Sequence, residues 1–339
     1  MCRQQILVFM KKRFLFTLVS AIFVALNCFA QGSLVATLNS GANIQAYYGE
    51  GALVEAYAAA NDGDVITLSS GVFTAVDIEK AITIRGAGMF INGATSECTR
   101  IAGDMSVNVP NVSKTISLEG LCFLGKVYFY DNNLSVVNIL KSSFNTDVDC
   151  RGCNPRFYSC FLYSRLKADT DSNSNSTAVY CQNCYVHEPY CGGYNSGSGA
   201  SSIELANCVI GIILENYSDW NLPYGKVTNS ILLHKDGHSL SPTCTASHNI
   251  AQQSSNAFAR LSDASNQYVE DINSIFKDLV RYELTDEAAA TYLGDDGTQL
   301  GIHGGANPFN EIPTNPRVRK FNVKSETTDG VLTVKIDVE

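Results

Sequence analysis

The chain has 339 residues, with 24 Lys and Arg against 33 Asp and Glu and a formal charge of −9 at pH 7. That balance excludes nucleic acid and anionic membrane as partners held by a positive field. Hydrophobic residues make up 45% and charged ones 17%, enough apolar surface for two ordinary domains or one long repetitive one.

Residues 1–30 read as a secretory leader. Lys11, Lys12 and Arg13 form a basic start, the run from Phe14 to Leu26 is apolar, and Cys28-Phe29-Ala30 ends it. The run is too short to span a bilayer, and Met10 is the expected start, because the nine residues before it add nothing to the leader. Cleavage near Ala30 would give an exported chain: secreted, periplasmic or at the cell surface. Acylation at Cys28 fits poorly with Asn27 before it. Without the leader's four basic residues, 20 cations face 33 acids, a charge of −13. This also weighs against a strongly acidic polysaccharide.

After a short opening strand in 31–50, "GALVEAYAAANDGD" places Leu53, Ala56, Tyr57 and Ala60 on one helical face, and Asn61-Asp62-Gly63 stops it. A helix ahead of many short strands would cap their open end. "DVITLSSGVFTA" and "KAITIRGAG" follow as the first strands, with Gly71, Gly86 and Gly88 in turns.

A repeat then organises the chain. Short apolar runs end at Phe123, Phe144, Phe161, Tyr185, Val209, Ile231, Ile250 and Ile275, spaced by 21, 17, 24, 24, 22, 19 and 25 residues. The residues before them are Cys122, Ser143, Cys160, Cys184, Cys208, Ser230, Asn249 and Ser274, nearly all small. A β-rich repeat near 22 residues predicts a parallel β-helix, its coils stacked ~4.8 Å apart. Cysteine in that column acts as a small hydrophobe. The two pairs Cys150/Cys153 and Cys181/Cys184 therefore make a poor zinc site, being also further apart than the usual ~12–20 residues. A local disulfide among Cys150, Cys153, Cys181 and Cys191 and a set of free buried thiols both remain open.

Polar stretches at 169–177, 192–202 and 215–225 read as corner insertions, and the segment from Tyr282 to Phe309 as a closing coil. "NPRVRKFNVKSE" and "GVLTVKIDVE" around "TTDG" predict a β-hairpin. The domain reading is thus a leader over 1–30, a β-helix over 31–310 and a β-appendage over 311–339.

"ALVEAYAAANDGDVITLSSGVFTAVDIEKAITIRGAG" and the pattern Tyr282, Leu284, Ala288, Gly294, Gly297, Gly301, Gly304, Gly305 resemble secreted right-handed parallel β-helix (pectin-lyase-like) proteins of Bacteroidetes type, over roughly 45–310. The resemblance implies an all-β, right-handed parallel β-helix with an N-terminal cap helix and a short C-terminal hairpin. It says little about reaction, because such folds carry lyases, hydrolases, adhesins and scaffolds.

Two side-chain sets could carry function. A polysaccharide lyase or glycoside hydrolase would work with clustered acids and a base, and Asp147, Asp149, Asp169, Asp171, Arg165 and Lys167 lie within two coils. Calcium held by these carboxylates is the one cofactor that chemistry would call for. "NTD" at 145–147 is similar to the first motif of polygalacturonases. However, Asp169 and Asp171 are not adjacent, "DGHS" at 236–239 comes late, and "RLK" at 165–167 precedes it. Among the histidines His187, His234, His238, His248 and His303, only His187 has an adjacent acid, Glu188. Tyr190, Tyr194, Tyr217, Trp220 and Tyr224 instead suit stacking on the faces of a polysaccharide or cell-surface glycan. The sequence favours glycan binding or surface adhesion without metal or chemistry, the enzyme being the alternative and an inert scaffold a third.

Overall fold

A computed structural model describes residues 34–89, 98–109, 114–130, 136–170, 175–191, 201–211, 224–234 and 240–314, together with the backbone of 318–323 and 334–338. The fold is nearly all-β, its parallel sheets forming a β-solenoid. Three faces wrap one apolar interior. The first runs in parallel from Val65–Leu68 through Thr83–Arg85, Thr115–Glu119, Val136–Leu140, Pro155–Tyr158, Ala178–Gln182, Ser202–Ala206 and Lys226–Thr228 to Thr245–Ser247. The second runs from Gly71–Thr74 through Thr99–Ala102, Leu121–Phe123 and Ser143–Phe144 into the starts of Phe161–Asp169 and Tyr185–Cys191. It continues through Val209–Ile210, Ile231–Leu232 and Ile250–Gln252 to Gln267–Val269. The third face holds Met105–Val107, Val127–Tyr130, Val148–Arg151 and the ends of the two long strands.

The corner between the first and second faces explains the small-residue column. Lys141, Ser159, Asn183, Asn207, Asn229 and His248 each turn the chain at φ between 50° and 53°, a conformation that Asn tolerates better than most residues. The next residue points inward: Ser142, Cys160, Cys184, Cys208, Ser230 and Asn249, all buried. Corner N–H groups have no strand partner and must find an acceptor. Leu121 N–H donates to Ser142 Oγ at 3.2 Å, Cys160 N–H to Cys184 Sγ at 3.3 Å, Cys208 N–H to Ser230 Oγ at 2.9 Å, and Ser230 N–H to Asn249 Oδ1 at 2.9 Å. The column thus links successive turns.

The structure corrects the sequence register at both ends of that column. Phe123 and Phe144 align with Leu162 and Val186, not with Phe161 and Tyr185, so Cys122 and Ser143 belong one position later and Ser142 takes the column. A one-residue slip exchanges the two sides of a strand, and here both sides are apolar. Phe123 and Phe144 stack inside at 4.7 Å, whereas Phe161, Tyr185, Val209, Ile231 and Ile250 lie in a second buried cluster. Ser274 is not in the stack: Ile272–Ile275 is a 3-10 turn, and Gln267–Val269 is the last stacked strand.

The covering of that second cluster is the other correction. Residues 276–314 form no closing coil. Phe276–Asp278 and Glu283–Leu284 pair antiparallel, Asp286–Thr291 is a short helix capped by Thr285, and the rest packs back over the second face. Tyr282 stacks on Tyr185 at 4.7 Å and Phe309 meets Phe161 edge-on at 5.2 Å. Asn183 Nδ2 donates to Ile302 O at 2.8 Å and Gly304 O at 2.7 Å, Lys141 Nζ to Ile312 O at 2.7 Å, and Thr314 N–H to Glu119 Oε1 at 2.8 Å. Gly301, at φ 80°, lies so close to Ile231 that an added Cβ would sit 2.8 Å from its Cδ1.

At the other end, Val35–Ser40 pairs antiparallel with both Asn43–Tyr48 and Val65–Leu68, so the opening strand is one arm of a hairpin. The helix Ala52–Ala59 buries Ala52, Leu53 and Ala56. Lys80 Nζ closes its C-terminal end, donating to Tyr57 O and Ala60 O at 2.8 Å each. Val318–Val323 and Val334–Val338 pair antiparallel, as the sequence predicts.

Candidate functional site

Strict alternation builds the outer surface of the third face. In Val127–Tyr130 and Val148–Arg151, Val127, Phe129, Val148 and Cys150 are buried, and Tyr128, Tyr130, Asp149 and Arg151 point out. Phe161–Asp169 reaches this face by a register shift between Leu162 and Arg165, a bulge that re-aims the strand around the corner. Lys167 then sits beside Asp149 and Tyr190, and Asp169 beside Arg151. These acids and bases are therefore strand residues on one flat face, not residues of a corner.

Their charges are mutually satisfied. Arg151 bridges Asp149 at 2.8 Å, Lys167 bridges Asp169 at 2.7 Å, and Arg165 bridges Glu188 at 2.8 Å. Along the leading edge, Asp104, Lys126, Asp147, Arg165 and Glu188 occupy matching positions of successive turns, so the sign alternates down the stack. Asp147 Oδ1 accepts from Ser164 Oγ at 2.5 Å and from Arg165 N–H at 3.3 Å. The Ser164 hydroxyl holds the Asp147 carboxyl below the ordinary carboxylate range. Asp147 is thus suited to staying ionised, not to donating the proton that glycoside cleavage needs. Among the described residues, no group of three or more His, Cys, Asp or Glu is placed to hold a metal ion.

The rings tell a different story. Tyr128 and Tyr130 lie nearly parallel, centroids 5.7 Å apart at 16°, both only partly exposed on the same side. Tyr190 lies on the strand Tyr185–Cys191, not in a loop, with the Arg165 guanidinium 5.4 Å from its ring centre. Tyr224 is half exposed ahead of Lys226–Thr228 on the first face and is not part of this group. Asp171, Tyr194, Tyr217, Trp220 and His238 lie outside the described residues. Tyr128 and Tyr130 escaped the sequence reading. The signal for them was the alternation of "VYFY" itself, with Val127 and Phe129 inward.

His187 lies at the bend where Tyr185–Cys191 passes from the second face to the third, between the paired Val186 and Glu188, its Nδ1 3.1 Å from the hydroxyl of Tyr185. Burial pushes the Tyr185 hydroxyl up in pKa, so it stays neutral and serves as packing for the outer cluster. The ten described cysteines are buried free thiols. Burial pushes Cys150, Cys160 and Cys184 well above the ordinary thiol value.

Comparison of the chain with protein-family models, with curated proteins and with solved structures finds no match. No described helix is long and apolar enough to cross a membrane.

Proposed function

We propose that this chain is a glycan-binding or surface-adhesion protein that works by contact through its third face, without bond cleavage. The carrying observation is the pair of parallel rings Tyr128 and Tyr130 standing outward beside acids and bases already joined in ion pairs. Flat rings suit the apolar faces of sugars, while closed ion pairs offer hydrogen bonds but no spare acid or base. The acidic balance of the whole chain favours a neutral polysaccharide over a polyanionic one. Export after a cleaved leader and the right-handed, pectin-lyase-like form of the solenoid belong to the same reading, carried by the sequence patterns described above.

The test is retention on immobilised neutral and acidic polysaccharides, with release of reducing ends and unsaturated uronates followed in parallel. A chain with Tyr128→Ala and Tyr130→Ala should lose about tenfold in affinity or more, from ~1 kcal/mol per ring. Cleavage products that disappear in a Lys167→Met or Asp149→Asn chain would replace this reading with a lyase or hydrolase.

A further inference from the structure

The strand Asn43–Tyr48 ends the 11-stranded sheet, with Val35–Ser40 on one side and no described strand on the other. The opposite end of this sheet is dressed with side chains: His248 N–H and Asn249 N–H, just past its last strand, donate to Ser265 Oγ and Asn266 Oδ1. The N-terminal end has no comparable cover among the described residues. Exposed edges are normally guarded by charge, proline or a bulge, yet "NIQAYY" holds none of these and pairs in unbroken register with Val35–Ser40. Ile44 and Tyr48 are 72% and 66% exposed.

The direction of the backbone groups narrows the occupant. Gly49 N–H donates to Leu34 O across the hairpin. Bonded positions alternate in an antiparallel ladder, so Asn43, Gln45 and Tyr47 face Val35–Ser40, and Ile44, Ala46 and Tyr48 present their N–H and C=O groups outward. These three residues also share one side of the strand, the side of Val35, Thr37 and Asn39.

From this geometry we infer that a second copy of this chain pairs along Asn43–Tyr48, antiparallel about a two-fold axis at Ala46. In that register Ile44 lies opposite the other copy's Tyr48 and Ala46 opposite its own equivalent. Every outward-facing backbone group meets a partner, giving about six hydrogen bonds from three paired positions. The pairing is self-complementary, as a two-fold contact requires. It brings together β-branched and aromatic side chains and sets no like charges opposite each other within the strand. A contact of this size is a weak, reversible one.

Sedimentation of the purified chain over a concentration series, up to ~100 µM, tests the inference. A concentration-dependent dimer is expected, abolished by Ala46→Pro. That change removes an outward N–H and leaves the hairpin's own bonds intact, and an unchanged thermal melt shows that the chain still folds. Ala46→Cys provides a second readout. Bonded antiparallel pairs set their Cα atoms ~5.5 Å apart, within disulfide reach, and the described native thiols are buried. Under mild oxidant this variant should cross-link to a dimer on a non-reducing gel, whereas Gln45→Cys should not. A chain that sediments as a monomer throughout, or cross-links equally from both positions, overturns the pairing.

Discussion

Replacing Asn183 isolates what holds the C-terminal segment against the solenoid. Its side chain is buried, its backbone sits at φ 53°, and its amide donates to both Ile302 O and Gly304 O. Asn183→Ala leaves two buried carbonyls without that donor, at about 1–3 kcal/mol each when water cannot replace it. It also puts a plain Cβ into the left-handed region, for about 1 kcal/mol more. Partial relaxation brings the expected loss to about 3–5 kcal/mol. Asn183→Gly forfeits the same bonds without the backbone cost, so it should be milder by about 1 kcal/mol. Urea unfolding followed by circular dichroism measures both, and amide exchange of residues 300–305 reports the local release. Two variants within about 0.5 kcal/mol of the parent, the scale of an ordinary surface change, would refute the idea that Asn183 clamps this segment.

Other perturbations reach other parts of the fold. Lys80→Met should cost about 1–2 kcal/mol in thermal stability by removing a cation from the carbonyls ending the helix Ala52–Ala59; an unchanged melt would show that water serves as well. Asp147 is depressed in the folded state, so its contribution is complete above its unfolded value of ~3.9 and fades as pH falls through the lower folded one. Ser164→Ala should move the Asp147 titration, followed by NMR, back toward ordinary carboxylates, and a curve that does not move would remove Ser164 as the cause. Cys191, Cys208 and Cys244 are pushed up to about 12 by burial. The native chain at pH 8 should therefore resist thiol reagents until denatured, and rapid labelling of any of these three would contradict their burial.

Much of the architecture was legible because stacking repeats the same environment every turn. The spacing from Cys160 to Cys184 to Cys208 gave the coil length, and the stripe Leu53, Ala56, Tyr57 gave the cap helix. Register was not legible at Cys122 and Ser143, because it is read from contrast between buried and exposed sides, and the C-terminal segment erases that contrast on the second face. The same segment read as a coil because its glycines and apolar residues suit either role, and only long-range partners such as Glu119 with Thr314 decide. At the candidate site the short separation of Asp147, Asp149, Arg165, Lys167 and Asp169 in the chain was legible, and strand pairing sets them on neighbouring turns. The sequence could not show that neighbouring turns would set opposite signs side by side, since that depends on the bulge after Leu162.

The contacts of Lys141 with Ile312 and of Glu119 with Thr314 join residues 171 and 195 positions apart in the chain. The last third of the polypeptide therefore completes the middle of the molecule, and order of synthesis runs against order of completion. A nascent chain stopped between the last stacked strand, Gln267–Val269, and about residue 300 could stack its turns yet would leave Phe161, Val209 and Ile231 without their full cover. Such a fragment offers a sticky stripe to chaperones and proteases. Arrival of residues 276–314 hides it, so the exposed stripe is confined to the interval between stacking and docking of that segment.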